Sequence, residues 1–370
     1  MTSSPWCAVH RPPLRRKPNG KRMTAPVDWP LARKMGRRFA PAGPTLELGE
    51  AREIVTQLRD QAQEAREHVF SITGLRAEPG HPAVVVDRSE WIDSNVAAMG
   101  EVLALWPGAS ERHEEASATA RAIGPRASAI QLGAALGWLS GKVLGQYEAL
   151  ADPGRLLLVA PTIVDVQRTL EVNRRDFGLW VCLHEETHRV QFGAVPWLPQ
   201  HFRSLIAKAL ATFEDSSVGD RLFAIIGEIV QALAQRRTPD VILAAQTPEQ
   251  RAVLDEITGL MSVLEGHADV VMDEVDVAIV PSVAEIRRRF DGRRASQAAA
   301  RGADSLWRKA LGMDAKMAQY REGAAFVRAL MLDGGMTTVN RVWDGPAYLP
   351  SLEEVRDPSL WLARIRGIAA

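Results

Sequence analysis

Between Leu46 and Ile72 the apolar residues Ile54, Leu58, Ala62, Ala65 and Val69 recur every three or four positions among charged neighbours, the spacing of one long amphipathic helix. A short apolar run then ends at Val86. Asp87 or Ser89 stands where a cap belongs, ahead of a helix whose apolar face includes Trp91, Val96 and Val102. A third helix is expected from about Ala127 to Tyr147, carrying Gly133, Gly137, Gly141 and Gly145 on one face, where a neighbouring backbone can approach closely. The run "GRLLLVAPTIVDVQRTLE" breaks this periodicity. Leu156 to Val164 is leucine-rich and β-branched and contains Pro161, which suits an edge strand. Helical spacing returns over Phe202 to Leu210, Val218 to Leu233, Ala252 to Asp276 and Ser305 to Met331, and no internal repeat is present. The expected class is mainly α with a small β element, divided into an N-terminal helical domain over 45–150 and a second domain over 151–370.

Composition changes this picture at one end only. Residues 1–44 carry ten basic residues against the single acid Asp28, with Pro and Gly throughout, and read as a basic, disordered arm. Within it Met23 opens "MTAPVDWPLARKM", an alternative translation start. Across the chain 45 Lys and Arg balance 45 Asp and Glu, so no global field argues for a nucleic-acid or membrane partner, and only the arm hints at nucleic acid. No stretch offers about 20 consecutive apolar residues or the core of a signal peptide. Cys7 and Cys182 lie in dissimilar contexts, one polar and one apolar, which argues against a mutual disulfide. A cytoplasmic protein is expected.

Candidate chemistry is concentrated in "FGLWVCLHEETHRVQFGAVP". Asn173 or Asp176 can cap a helix from about Phe177 that stops at Gly193, with Pro196 beyond. His184 and His188 lie about 400° apart on it, one above the other, where their imidazoles can share a cation. Phe177, Trp180, Val181 and Gln191 occupy or border the same stripe, so the ligand face is the buried face. Glu185 falls about 100° aside, placed to take a proton from a metal-activated water and pass it to a leaving group. Such an HExxH pattern supplies two ligands and a general base in five residues, and zinc (Zn2+) is the expected cation. The alternative is a pair of hydrogen-bonded core histidines, with Glu185 and Arg189 as an i,i+4 surface pair.

A catalytic zinc normally takes three protein ligands. In "GLMSVLEGHADVVMDEVD", Glu265, Asp269, Met272, Asp273 and Asp276 follow a helical stripe among Leu260, Val263, Leu264, Val270 and Val271. A carboxylate held in apolar surroundings needs a cation or hydrogen bonds, and zinc would supply the cation, which makes Glu265 the expected third ligand. Asp269, one turn on, is expected to accept the second ring N–H of a ligand histidine. His267 competes for the ligand role, but lies about 200° from Glu265 and is otherwise a capping or second-layer residue. Tyr320 in "MAQYREGAAFV" is the first choice for a donor to the developing oxyanion, with His267 and His201 behind it.

The Glu-x-x-x-Asp order of Glu265 and Asp269 resembles the third-ligand helix of gluzincin metallopeptidases. "LLLVAPTIV", "HEETHRVQF", "LMSVLEGHADVVMD" and "AKMAQYREGAAFV" together resemble a bacterial family of zincin-like metallopeptidases, often labelled hydrolases or associated with deazaflavin-coenzyme biosynthesis. The resemblance covers the chain after about Val27. It implies a mostly helical zincin-like fold with an additional N-terminal helical domain, and it strengthens the zinc site more than any substrate; with the HExxH chemistry, the expected activity is hydrolysis of a peptide or protein substrate. It leaves a different class open: a catalytically silent, zinc-stabilised helical scaffold linked to a coenzyme pathway.

Overall fold

A computed structural model describes residues 27–77, 82–104, 118–151, 153–212, 247–299 and 313–369. The amphipathic segment after Leu46 forms one helix, α2 (Leu48–Thr73), preceded by a short helix, α1 (Trp29–Phe39). A solvated arm was expected as far as residue 44, so α1 corrects that expectation. Its Asp28 side chain caps the helix by accepting from the Leu31 N–H at 3.1 Å. The basic side chains mislead because they occupy one face only. On the other face Ala32 and Gly36 sit one turn apart and are buried against α4 (Ala118–Ser140). There Cβ atoms on Gly133 and Gly137 would lie 2.7 Å from the carbonyl oxygens of Ala32 and Gly36.

The helix expected to run to Tyr147 stops at Ser140, and Gly145–Glu148 is instead a strand, β2. It pairs antiparallel with β3 (Arg155–Val159), and β3 pairs on its other side in parallel with β1 (Val84–Val86). The leucine-rich run is therefore the central strand of a three-stranded sheet rather than an edge. Pro161 interrupts no ladder, because the strand ends at Val159 and the proline occupies the first turn of α5 (Ala160–Leu170), where a missing N–H costs nothing. Of the two candidate caps after Val86, Asp87 is used: its carboxylate accepts from the Glu90 N–H at 2.8 Å, at the start of α3 (Arg88–Ala104).

The core runs across residue 150. Ala51 to Val69 of α2 pack into one cluster with Leu156 and Leu158 of β3, Phe177, Trp180 and Leu183 of α6 (Arg174–Ala194), and Val271 of α8 (Pro248–Asp273). Fully burying side chains of this size is worth roughly 1.5–3 kcal/mol each. α6 is capped by Asn173, whose side chain accepts from the Asp176 N–H at 3.1 Å. α8 opens with a reciprocal capping box between Thr247 and Gln250. α7 (Leu198–Ala211) and α9 (Val283–Ala299) flank these two, and α10 (Met313–Asn340) crosses α8 where Gly266 faces Gly323. The helix expected over Val218 to Leu233 lies outside the described residues, as do Cys7 and the first part of the expected 305–331 helix. No helix among the described residues is long and apolar enough to cross a membrane.

Candidate metal centre

α6 and α8 bring three ligand groups to one point. His184 Nε2 lies 3.1 Å from His188 Nε2, and Glu265 Oε2 lies 3.4 Å from the first and 3.5 Å from the second. Ligands at about 2.0–2.1 Å from a tetrahedral zinc stand roughly 3.3–3.4 Å apart, so these separations match the edges of such a site. The donor set, two imidazoles and one carboxylate, suits the same cation. Among the described residues these three form a group able to hold a metal. His184 keeps 25% of its side chain accessible, so the described residues do not seal the group.

The electrostatics also call for a positive charge here. Burial opposes charging of His188, yet the neighbouring Glu265 carboxylate outweighs it and pushes the imidazole up to about 9. Glu265 likewise resists its own desolvation and is held well below the usual carboxylate range by the two histidines. The site favours a proton wherever a cation is lacking, as a built metal site should.

The groups behind the histidines differ from those expected. Asp269 does not reach a ligand histidine. It pairs with Arg287 at 2.7 Å, and Arg328 lies 3.7 Å away. The stripe that suggested it is real, but α9 and α10 present guanidinium groups to its outer part, and a carboxylate takes a full charge in preference to a neutral imidazole N–H. His184 Nδ1 instead meets Met272 Sδ at 3.1 Å, and His188 Nδ1 meets Gln191 Oε1 at 2.9 Å. Gln191 is a functional candidate that motif reasoning passed over, although its place three residues after His188 put it on the ligand stripe. His267 is not a ligand. It is completely buried, its Nδ1 lies 3.1 Å from Gln191 Nε2, and burial, reinforced by charge on His188, pushes it down to about 3.

Glu185 is 6% exposed and stands beside the three ligands. Burial pushes its carboxyl up, the two histidines pull it down, and Glu265 and Glu186 add to the rise. It does not pair with Arg189. That contact belongs to Glu186, fully buried and ion-paired with Arg189 and Arg66, which leaves Glu185 beside the two histidines and Glu265.

β2 lies along the same helix. Its side chains alternate as a strand requires: Gly145 and Tyr147 face α6, where Tyr147 stacks on Phe192 at 5.8 Å. Gln146 and Glu148 face α3, accepting from Trp91 Nε1 at 2.8 Å and from Ser94 Oγ respectively. Val159 N–H donates to the Leu144 carbonyl at 2.8 Å. Alternation along the antiparallel pair then turns the backbone groups of Gly145 and Tyr147 toward the outer edge. Of the expected oxyanion donors, Tyr320 lies in α10 but its side chain is outside what the structure describes. His267 is too deeply buried to serve, and His201 packs edge-on to Trp197.

The sequence profile of the zincin-like metallopeptidases matches residues 27–362. Among solved structures, the chain is similar to "a putative hydrolase with a novel fold" from Chloroflexus aurantiacus, with 29% identity and a TM-score of 0.66, covering 92% of this chain and 99% of that one. No curated protein matches.

Proposed function

The chain belongs to the family of zincin-like metallopeptidases, and from that premise we propose that it hydrolyses peptide bonds with zinc as cofactor. The observation that carries the reading is the convergence of His184, His188 and Glu265 within 3.5 Å of one another with Glu185 alongside. His184 and His188 bind through Nε2 and Glu265 through a carboxylate oxygen. Zinc, when bound, supplies Lewis acidity and brings the pKa of water down to about 7.

Glu185 holds and moves the proton. Its carboxylate takes one from the attacking water as the carbon–oxygen bond forms, then gives it to the amine nitrogen as the carbon–nitrogen bond breaks. Burial raises its carboxyl, which favours it as the group that holds the proton between the two transfers. The outward N–H and C=O groups of Gly145 at the β2 edge offer an extended peptide a main-chain partner next to that carboxylate. A silent scaffold would call for a closed metal site, and the quarter-open side chain of His184 speaks against one.

The test is Glu185→Gln, assayed with the parent on a mixed peptide library read by mass spectrometry. The variant should retain zinc and cleave nothing that the parent cleaves. Undiminished turnover would remove Glu185 from its role, and a zinc-loaded parent that cleaves no peptide would leave the scaffold reading in place.

A further inference from the structure

Gln191 makes three polar contacts, and together they leave it one orientation. Its Nε2 lies 2.9 Å from the Leu264 carbonyl oxygen, which can only accept, so the amide NH2 must point there. Its Oε1 is therefore the atom 2.9 Å from His188 Nδ1, and that nitrogen must carry the proton. That leaves Nε2, which faces His184 Nε2 and Glu265, as the nitrogen of His188 that gives up its proton when a metal binds. The second amide hydrogen falls to His267 Nδ1 at 3.1 Å, so that nitrogen accepts and the ring's own proton sits on Nε2. Among the described residues His267 Nε2 has no hydrogen-bond partner, and the ring is wholly buried, tilted against Trp343 at 5.7 Å between centroids. Among the described residues, the hydrogen bond of this buried ring is therefore the one its Nδ1 accepts from Gln191.

We propose that Gln191 and His267 are a pair of positioning residues that fix the tautomer and direction of His188 and tie it to the helix carrying Glu265. His267 holds the amide, and the amide holds His188. The bond to Leu264, the residue before Glu265, locks α6 and α8 together at the ligands themselves. The pair rests on the metal reading above but assigns residues that the HExxH pattern and its third ligand do not include. Both are neutral, so they orient His188 without adding charge to the centre.

The experiment uses full-length, zinc-loaded protein labelled with 15N-histidine, together with zinc affinity measured by chelator competition. His267 signals are assigned by their loss in His267→Asn. In the parent, His267 should be neutral with its proton on Nε2, and a proton on Nδ1 would overturn the proposal without any variant having to fold. Gln191→Met, close in size and without an amide, should weaken zinc binding 10- to 100-fold. His267→Phe should weaken it too, while His267→Asn, which restores an acceptor near the Nδ1 position, recovers most of the loss. Zinc affinities within twofold of the parent for Gln191→Met and His267→Phe would sink the pair and leave the three-ligand site standing. A parent that binds no zinc would sink both.

Discussion

Gly145 and Glu185 are in contact across the seam between the edge strand and the metal-site helix: a Cβ on Gly145 would lie 2.6 Å from Glu185 Cγ and 2.8 Å from its Oε1. Only a residue without a side chain lets β2 lie this close to the carboxylate. Gly145→Ala should therefore push Glu185 off its position while leaving the ligands alone. A displacement near 1 Å can cost about 10²-fold in rate, so turnover is expected to fall by roughly that factor with zinc content unchanged. Parallel assays of hydrolysis and metal content decide it, and equal activity in the variant would show that the base tolerates the shift.

Glu265 supplies the carboxylate and is held ionised by its two histidine neighbours. On the proposed reading, removing it would take away one of three ligands and the charge that would balance the cation. Elemental analysis should find about one zinc per parent chain, with the metal lost or sharply weakened in Glu265→Ala. Full occupancy in the variant would move the third ligand elsewhere.

The parts of this site that a regular helix repeats were legible in the sequence. His184, His188 and Glu185 follow from a four-residue spacing on a capped helix, and Glu265 from an acid on an apolar stripe. What the sequence hid was long-range partnership. Asp269 sits one turn from Glu265 as expected, but which cation would claim it depended on Arg287 arriving from α9. The same limit explains the sheet. Gly145 continued a glycine stripe on a helical wheel, and only the pairing of 145–148 with 155–158 showed that the last of those glycines belongs to a strand. Gly133 and Gly137 kept the close-packing role that their spacing suggested, against a helix α1 whose basic composition had disguised it.

The diversion of Asp269 separates stability from metal binding. Asp269 and Asp273 both accept from Arg287, whose guanidinium also lies 5.3 Å from the Trp180 ring. The pair is about a quarter exposed, so its worth is reduced by solvent, on the order of 1 kcal/mol. Asp269→Asn should lower the midpoint of thermal unfolding by about 1–2 °C and leave zinc affinity within about twofold. Met272→Leu should do the reverse, keeping core volume but withdrawing the acceptor beside His184 Nδ1. If Asp269→Asn loosened the metal as strongly as Gln191→Met, an indirect path from that aspartate to the ligands would have to exist.

The crossing of α8 and α10 sets where Glu265 can be. A Cβ on Gly323 would fall 1.8 Å from the Ser262 carbonyl oxygen, and one on Gly266 would fall 2.2 Å from the Gly323 carbonyl carbon. Both obstacles are backbone, so no rotamer change can relieve them, and the helices must separate by more than a bond's width. Overpacking typically costs roughly 1–3 kcal/mol, and a clash with rigid backbone belongs at the upper end. Gly323→Ala should accordingly lower the midpoint of thermal unfolding by several degrees. Gly49, exposed in the first turn of α2 with nothing near its added Cβ, provides the contrast: Gly49→Ala should be neutral or slightly stabilising. Because α8 carries Leu264, Glu265 and His267, moving it also disturbs the carboxylate ligand and the Gln191 contact in one step. Zinc affinity should fall in Gly323→Ala in step with stability and stay at the parent value in Gly49→Ala. A destabilised Gly323→Ala that bound zinc normally would mean that α8 keeps its place on α6 without α10, and that the metal centre depends on the α6–α8 contact alone.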